Sequence, residues 1–346
     1  MDRERFSGCL IGQCLGDALG FPVEGFPPDL CARYVDETMR GEEARARRPS
    51  PFGQYTDDSQ LARELLQSFA AKGRFDPEDY ARRIAAIFVE DRIVGRGLAT
   101  HRAAHRLAQG VSWQEAGEPP PVAGNGSAMR AGPIGLLFHD DDALRIAVAH
   151  DQGRITHRDP RCSAGAVAIA GAVTLALEDG PVDAQRWATR LAGEAMAFDA
   201  SFADAILRLP EWIALPRDQA VASIPHRLGE YDSQYQWSGV SPFVVSSVLW
   251  SLYAFLRTPD DYWETLCTAI AVGGDVDTTA AMAGAISGAR AGLGGLPPDL
   301  ARSLTDQGTW GYDELVALAH DCHARKHGGA ATASLPPASS PARPSP

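Results

Sequence analysis

The chain has 346 residues, 45% hydrophobic and 22% charged, with a formal charge of -12 and a pI near 5.2. This is the balance of a globular protein with a substantial core, in one large domain or two ordinary ones. It argues against a nucleic-acid partner held by phosphate neutralisation, which needs clustered Lys and Arg.

Glycines stand at every fourth residue over Gly8, Gly12, Gly16 and Gly20, a spacing that lines them along one ridge of a helix where another backbone can come close. Gly20, followed by Phe21 and Pro22, predicts the stop of that helix. Helical periodicity continues in Leu61, Leu65, Leu66 and Phe69, closed by Gly73, and in Tyr80, Ile84, Ile87 and Phe88. His101 and His105 are four apart, but Arg102 stands where a metalloprotease carries Glu, so they read as part of a solvated basic face with Arg96, Arg102 and Arg106. The acids Asp140, Asp141 and Asp142 read as the cap of a helix over Leu144, Ile146 and Val148. Ser163 to Leu177 and Ala280 to Gly292 repeat the small-residue habit of the first helix, which predicts three closely nested helices. Strand-like alternation is scarce, so the expected fold is all-α.

Three polar loops, 36–55, 112–124 and 225–239, are long enough to carry function. Beyond about His327 the composition is Ala, Ser, Pro and Gly, which cannot bury enough apolar surface to order a chain. Residues 1–326 are therefore expected to form the folded part and 327–346 a disordered tail. The six cysteines form no CxxC pair and no zinc-ligand spacing. With no secretory leader at the N-terminus, the expectation is reduced thiols in the cytoplasm. The longest apolar runs fall short of the ~20 residues that span a bilayer, so no membrane insertion is expected.

Two acidic clusters stand out. Thr56-Asp57-Asp58-Ser59 precedes the helical run from Leu61, and Gly273-Gly274-Asp275-Val276-Asp277-Thr278-Thr279 opens the last small-residue helix. Either could be an ordinary helix cap with acids complementing the dipole. Capping accounts for one acid at the second cluster, but not for two acids and a hydroxyl on a Gly-Gly lead. Hard divalent cations take carboxylate and hydroxyl oxygens in preference to histidine or thiolate. Thr56, Asp57, Asp58, Asp275, Asp277 and Thr278 together could hold one or two such ions. An aspartate dyad without metal is the competing chemistry, but four aspartates exceed what it needs.

Taken in order, Gly12-Gln13-Cys14-Leu15-Gly16-Asp17-Ala18-Leu19-Gly20, Thr56-Asp57-Asp58, Gly124-Asn125-Gly126-Ser127-Ala128-Met129-Arg130, Thr156-His157 and Gly273-Gly274-Asp275-Val276-Asp277-Thr278 resemble the ADP-ribosylglycohydrolase family. The resemblance runs over roughly residues 6 to 295. It implies a single compact orthogonal helical bundle with a central dinuclear site of two magnesium ions, manganese being the alternative. The ligands would be Thr56, Asp57, Asp58, Asp275, Asp277 and Thr278, with Asp57 and Asp277 also among the catalytic residues. The metals would grip ribose hydroxyls while water attacks the anomeric carbon. The resemblance further suggests Glu24 as general base or water-orienting residue. Asn125, Gly126 and Ser127 would cradle the phosphates of ADP-ribose, with Met129 and Arg130 behind them. His157 would contact substrate, and Tyr235 would be the aromatic for the adenine or ribose.

The implied activity is hydrolysis of the glycosidic bond between ADP-ribose and a modified side chain, arginine favoured over serine, or a small conjugate, by a monomer that releases ADP-ribose. The alternative is a noncatalytic ADP-ribose-binding or structural protein on the same fold.

Overall fold

The computed structural model describes residues 2–40, 52–225 and 237–328. Among them there is no sheet, only isolated β-bridges, and no helix is long and apolar enough to cross a membrane. Seven helices position the site: α1 (Arg3–Gly20), α2 (Asp57–Lys72), α3 (Leu98–Ala108), α4 (Pro160–Ala176), α5 (Val244–Arg257), α6 (Val276–Ala291) and α7 (Tyr312–Lys326). The expected all-α class is what the chain forms.

The centre is the antiparallel pair α1 and α6. A Cβ on Gly8 would stand 2.4 Å from the Gly288 oxygen, one on Gly12 2.5 Å from the Gly284 oxygen, and one on Gly16 2.1 Å from the Ala280 oxygen. The two backbones are therefore in direct contact along the whole ridge, an approach that only hydrogen at these positions allows. Tyr262 adds a hydroxyl bond to the Gly12 carbonyl at 2.8 Å.

The third small-residue helix is nested differently. A Cβ on Gly135 would meet the Ala170 oxygen of α4 at 2.3 Å, whereas Gly165 of α4 faces the Val244 side chain of α5. So α4 finds its close backbone neighbour in the short helix Gly132–Leu137.

The stop at Gly20 also has another cause than a glycine cap. Gly20 is right-handed, φ -76°, and the chain runs on into a 3-10 turn over Phe21–Val23. A Cβ there would stand 2.4 Å from the Asp277 Cα, so Gly20 serves close approach to the start of α6. By contrast α2 ends as expected, with Gly73 left-handed at φ 69°. Asp141 caps the helix Asp142–Arg154 by accepting from Leu144 N at 3.0 Å. The expected loop 112–124 includes one helical turn, Trp113–Ala116. The expected tail lies outside the described residues from 329 onward.

A candidate carboxylate metal centre

The starts of α2 and α6, far apart in sequence, meet at one cavity of about 480 Å³. Packing of α1 brings them together, and Asp17, the acid inside the glycine ridge, ties the first of them down. Its carboxylate accepts from Thr56 N at 3.0 Å and from Ser59 N at 3.1 Å. Asp17 thus caps α2 from another helix, and neither Thr56, Asp57 nor Asp58 makes a side-chain cap there. The capping reading of this cluster fails for that reason, and its own carboxylates remain free for other work.

The two starts share polar contacts. The Thr56 hydroxyl lies 2.9 Å from Asp17 Oδ1 and 3.1 Å from Asp58 Oδ2. The Thr278 hydroxyl lies 3.4 Å from that same Asp58 oxygen and 3.1 Å from Asp275 Oδ1. Asn125 donates to the other Asp275 oxygen at 2.6 Å. Gln13 braces the floor with Nε2 bonds to the carbonyls of Asp58 and Met129, both 3.0 Å. Glu24 reaches in from the exposed mouth, where one oxygen each from Glu24, Asp275 and Asp277 lie within 4.8 Å of one another.

These carboxylates are hard to keep charged together. Burial first, then mutual repulsion, raises Asp57, Asp58 and Asp277 well above the usual range. Burial lifts Asp17 to about 7 even against the hydrogen bonds it accepts. Asp275 also rises to about 7, from burial and the Glu24 charge, against the pull of Asn125 and Thr278. Glu24 rises through desolvation of its carboxylate end. The buried oxygen Asp58 Oδ1 has no hydrogen-bond partner. A dense set of carboxylates with an orphaned buried oxygen and two hydroxyls suits hard divalent cations.

The other predicted residues sort into lining and support. Asn125, Gly126, Met129 and His157 line the cavity. Ser127 and Arg130, both fully buried, lie behind it. Ser127 donates to the Cys162 carbonyl at 2.9 Å. Arg130 donates to Gln152 Oε1 at 2.8 Å and to Thr156 Oγ1 at 2.8 Å.

Arg130 can only donate, so the Thr156 hydroxyl accepts from it, and the same hydroxyl lies 2.9 Å from His157 Nδ1. The other ring nitrogen, Nε2, is the atom nearest a Cβ placed on Gly124, at 3.2 Å. Burial and the Arg130 charge keep this imidazole neutral, down to about 3. Tyr235 lies outside the described residues.

One part of the cavity escapes the sequence reading. It is the stretch from Gly95 to Thr100, with Arg96 and Arg102 beside it. Both side chains are nearly half exposed, Arg96 paired with Asp91, so the solvated basic face borders the cavity mouth. Gly97 donates to Asp57 Oδ2 at 3.4 Å, and α3 begins with no side-chain cap, which leaves the first N–H groups of the helix facing the cavity. Gly95-Arg96-Gly97 ahead of an uncapped helix was the available signal. Trp237, in the polar loop that the family resemblance marks as substrate-lining, is an aromatic on the cavity wall two residues beyond Tyr235. His101 and His105 pack edge to face, 5.6 Å apart, on one helix; His101 also meets Phe88 of the neighbouring helix, while His105 stays exposed as the solvated-face reading expects.

The sequence model of the ADP-ribosylglycohydrolase family matches residues 1–331. The chain is 30% identical to ADP-ribosylhydrolase ARH3 of Homo sapiens, over 92% of this chain and 93% of that one. It is 25% identical to ADP-ribosylarginine hydrolase Tri1 of Pseudomonas putida, over 91% of this chain and 81% of that one. Among solved structures it is similar to an ADP-ribosylglycohydrolase-related protein complex, with TM-score 0.68 and 27% identity over 94% of this chain and 98% of that one.

Proposed function

Because this chain belongs to the ADP-ribosylglycohydrolase family, we propose that it hydrolyses the glycosidic bond between ADP-ribose and a modified side chain, with arginine as the favoured acceptor. The observation that carries this reading is the convergence of Asp57, Asp58, Asp275, Asp277 and Thr278 on one cavity that also receives the uncapped start of α3, with Thr56 buried behind them against Asp58. Those six residues would hold two magnesium or manganese ions. When bound, the ions supply neutralisation of the carboxylates, a template for ribose hydroxyls and activation of water.

The protein's own groups then divide the work. The free N–H groups at the start of α3, with Arg96 and Arg102 beside them, fit the diphosphate of ADP-ribose. Trp237 offers a face on which adenine can stack. His157, held neutral on the cavity wall, is a contact for a polar group of the substrate. Asn125 keeps Asp275 aligned.

Glu24 at the mouth is the group within reach of Asp275 and Asp277 that can take a proton from the attacking water. Water adds to the anomeric carbon, the bond to the acceptor breaks, and the acceptor leaves with a proton. Arginine is the favoured acceptor in keeping with the similar Tri1 of Pseudomonas putida, named an ADP-ribosylarginine hydrolase.

Arginine- and serine-ADP-ribosylated peptides, incubated with magnesium or with EDTA, test the proposal. Magnesium-dependent release of ADP-ribose, abolished in Asp277→Ala, is the expected result. Binding of ADP-ribose that survives Asp277→Ala, with no turnover by the parent protein, would establish the noncatalytic alternative instead.

A further inference from the structure

Behind the cavity wall, the hairpin at Thr305–Gly311 reaches back to the start of α2. It is held in an unusual backbone, with Gln307 at φ 52° and Trp310 at φ 47°, conformations that persist in non-glycine residues only where surrounding contacts over-determine them. Those contacts are present. Asp306 N and Thr309 N each donate to the other's carbonyl at 2.7 and 2.9 Å. Gln307 N donates to Gln54 Oε1 at 2.8 Å, and the Tyr55 hydroxyl donates to the Trp310 carbonyl at 3.0 Å.

The hairpin presents one buried carboxylate, Asp306, which accepts from Arg63 at 2.6 Å and from Gln60 Nε2 at 2.8 Å. Gln60, fully buried one turn into α2, is saturated by what it holds. Its Nε2 also donates to the Arg92 carbonyl at 2.9 Å, and its Oε1 accepts from Val94 N at 2.9 Å. Gln307 Nε2 grips the same Arg92 carbonyl at 2.8 Å. Two residues on, Val94 O accepts from Asp57 N at 2.7 Å, and a Cβ on Gly95 would stand 3.1 Å from both Asp57 Oδ1 and Thr56 Cβ.

We propose that Gln60, oriented by Asp306, is a positioning residue that fixes the 92–97 segment, and with it the Gly95–Thr100 wall of the cavity, against Asp57. A primary amide suits this task because it donates twice and accepts once at a single site. The carboxylate from a hairpin 246 residues away decides which end of the amide faces Val94. Gln60 touches neither substrate nor metal ligand side chain, and it acts through the backbone of its neighbours.

Gln60→Met removes every one of these bonds at similar volume. Its first readout is hydrogen exchange of the Val94 amide, which is independent of what the enzyme acts on. Val94 should lose at least about tenfold of its protection while the amides in the middle of α2 keep theirs. The kinetic readout rests on the ADP-ribosyl hydrolase reading: KM for an ADP-ribosylated peptide should rise about tenfold, with kcat and manganese affinity within about threefold of the parent.

Unchanged Val94 protection would overturn the proposal, and so would an equal loss of protection throughout the fold. Should Gln60→Met fail to fold, Gln60→Glu and the double variant Gln60→Glu with Asp306→Asn decide. The single change sets two carboxylates against each other, and the second change restores a donor to the pair. Recovery of Val94 protection supports the proposal, and no recovery overturns it. A parent protein that turns over no ADP-ribose conjugate refutes the functional reading while the exchange arm still decides the clamp.

Discussion

Replacing Gly20 by alanine separates the fold's packing from the site's geometry. The added methyl would stand 2.4 Å from the Asp277 Cα and 2.6 Å from both the Asp277 nitrogen and the Val276 oxygen. Ordinary contact begins near 3.4 Å, so the start of α6 must retreat by about 1 Å. It carries Asp275, Asp277 and Thr278 with it and so changes their spacing to Asp58.

Alanine is the better helix former by roughly 1 kcal/mol, but forcing a methyl between packed backbones costs about 1 to 3 kcal/mol. The variant should therefore be somewhat less stable yet still folded. A displacement of that size at ligands and reacting groups costs on the order of 100-fold in turnover.

Gly8→Ala is the control. It meets the Gly288 oxygen at 2.4 Å on the same ridge, but about 18 Å along α1 from Gly20. Circular dichroism would verify that both variants fold, calorimetry would give manganese affinity, and release of ADP-ribose would give turnover. Gly20→Ala should lose metal affinity and turnover, whereas Gly8→Ala should lose stability alone. Equal metal affinity in the two variants would refute the idea that the glycine ridge sets the ligand geometry.

Asn125→Ala removes the 2.6 Å bond to Asp275 and should weaken manganese binding roughly 10- to 100-fold, as loss of a ligand's hydrogen-bond partner commonly does; titration calorimetry that finds no change would count against Asp275 as a ligand. Trp237→Ala should weaken ADP-ribose binding roughly tenfold through lost stacking, with manganese affinity unchanged, and an unaltered Kd would remove Trp237 from the adenine site. For pH, Asp17 and Asp275 rise from 3.8 to about 7, so without metal the fold retains protons that the unfolded chain has released over that interval. That contribution to stability is complete below about 4 and is lost as pH rises toward 7. Metal binding must expel those protons, so the extra stability conferred by saturating magnesium over EDTA should grow from pH 5 to pH 7.5 by on the order of a few kcal/mol. Taking that difference cancels opposing groups such as neutral His157. Chemical denaturation at both pH values measures it, and a difference that shrinks with rising pH would refute it.

Much of this molecule is written in local sequence. The four-residue glycine spacing of α1 and its echo in α6 announce a pair of helices in backbone contact, because no side chain can intervene at those positions. The two clusters of acids with threonines announce oxygen chemistry, since their number exceeds what capping requires.

Other features are not local. Asp17 caps α2 across space, so nothing near Thr56 discloses that its acids are relieved of that duty. Ser127 and Arg130 belong to the same short motif as Asn125, yet the turn at Asn125–Ser127 sends their side chains behind the wall. The segment at Gly95 and Trp237 join the cavity only because distant elements dock beside α2 and α6, and the Gln60–Asp306 bond spans 246 residues. Sequence determined which helices form and which residues have the chemistry. Tertiary structure alone decided which of those residues face one another, because burial and hydrogen bonding are satisfied by neighbours in space whatever their separation along the chain.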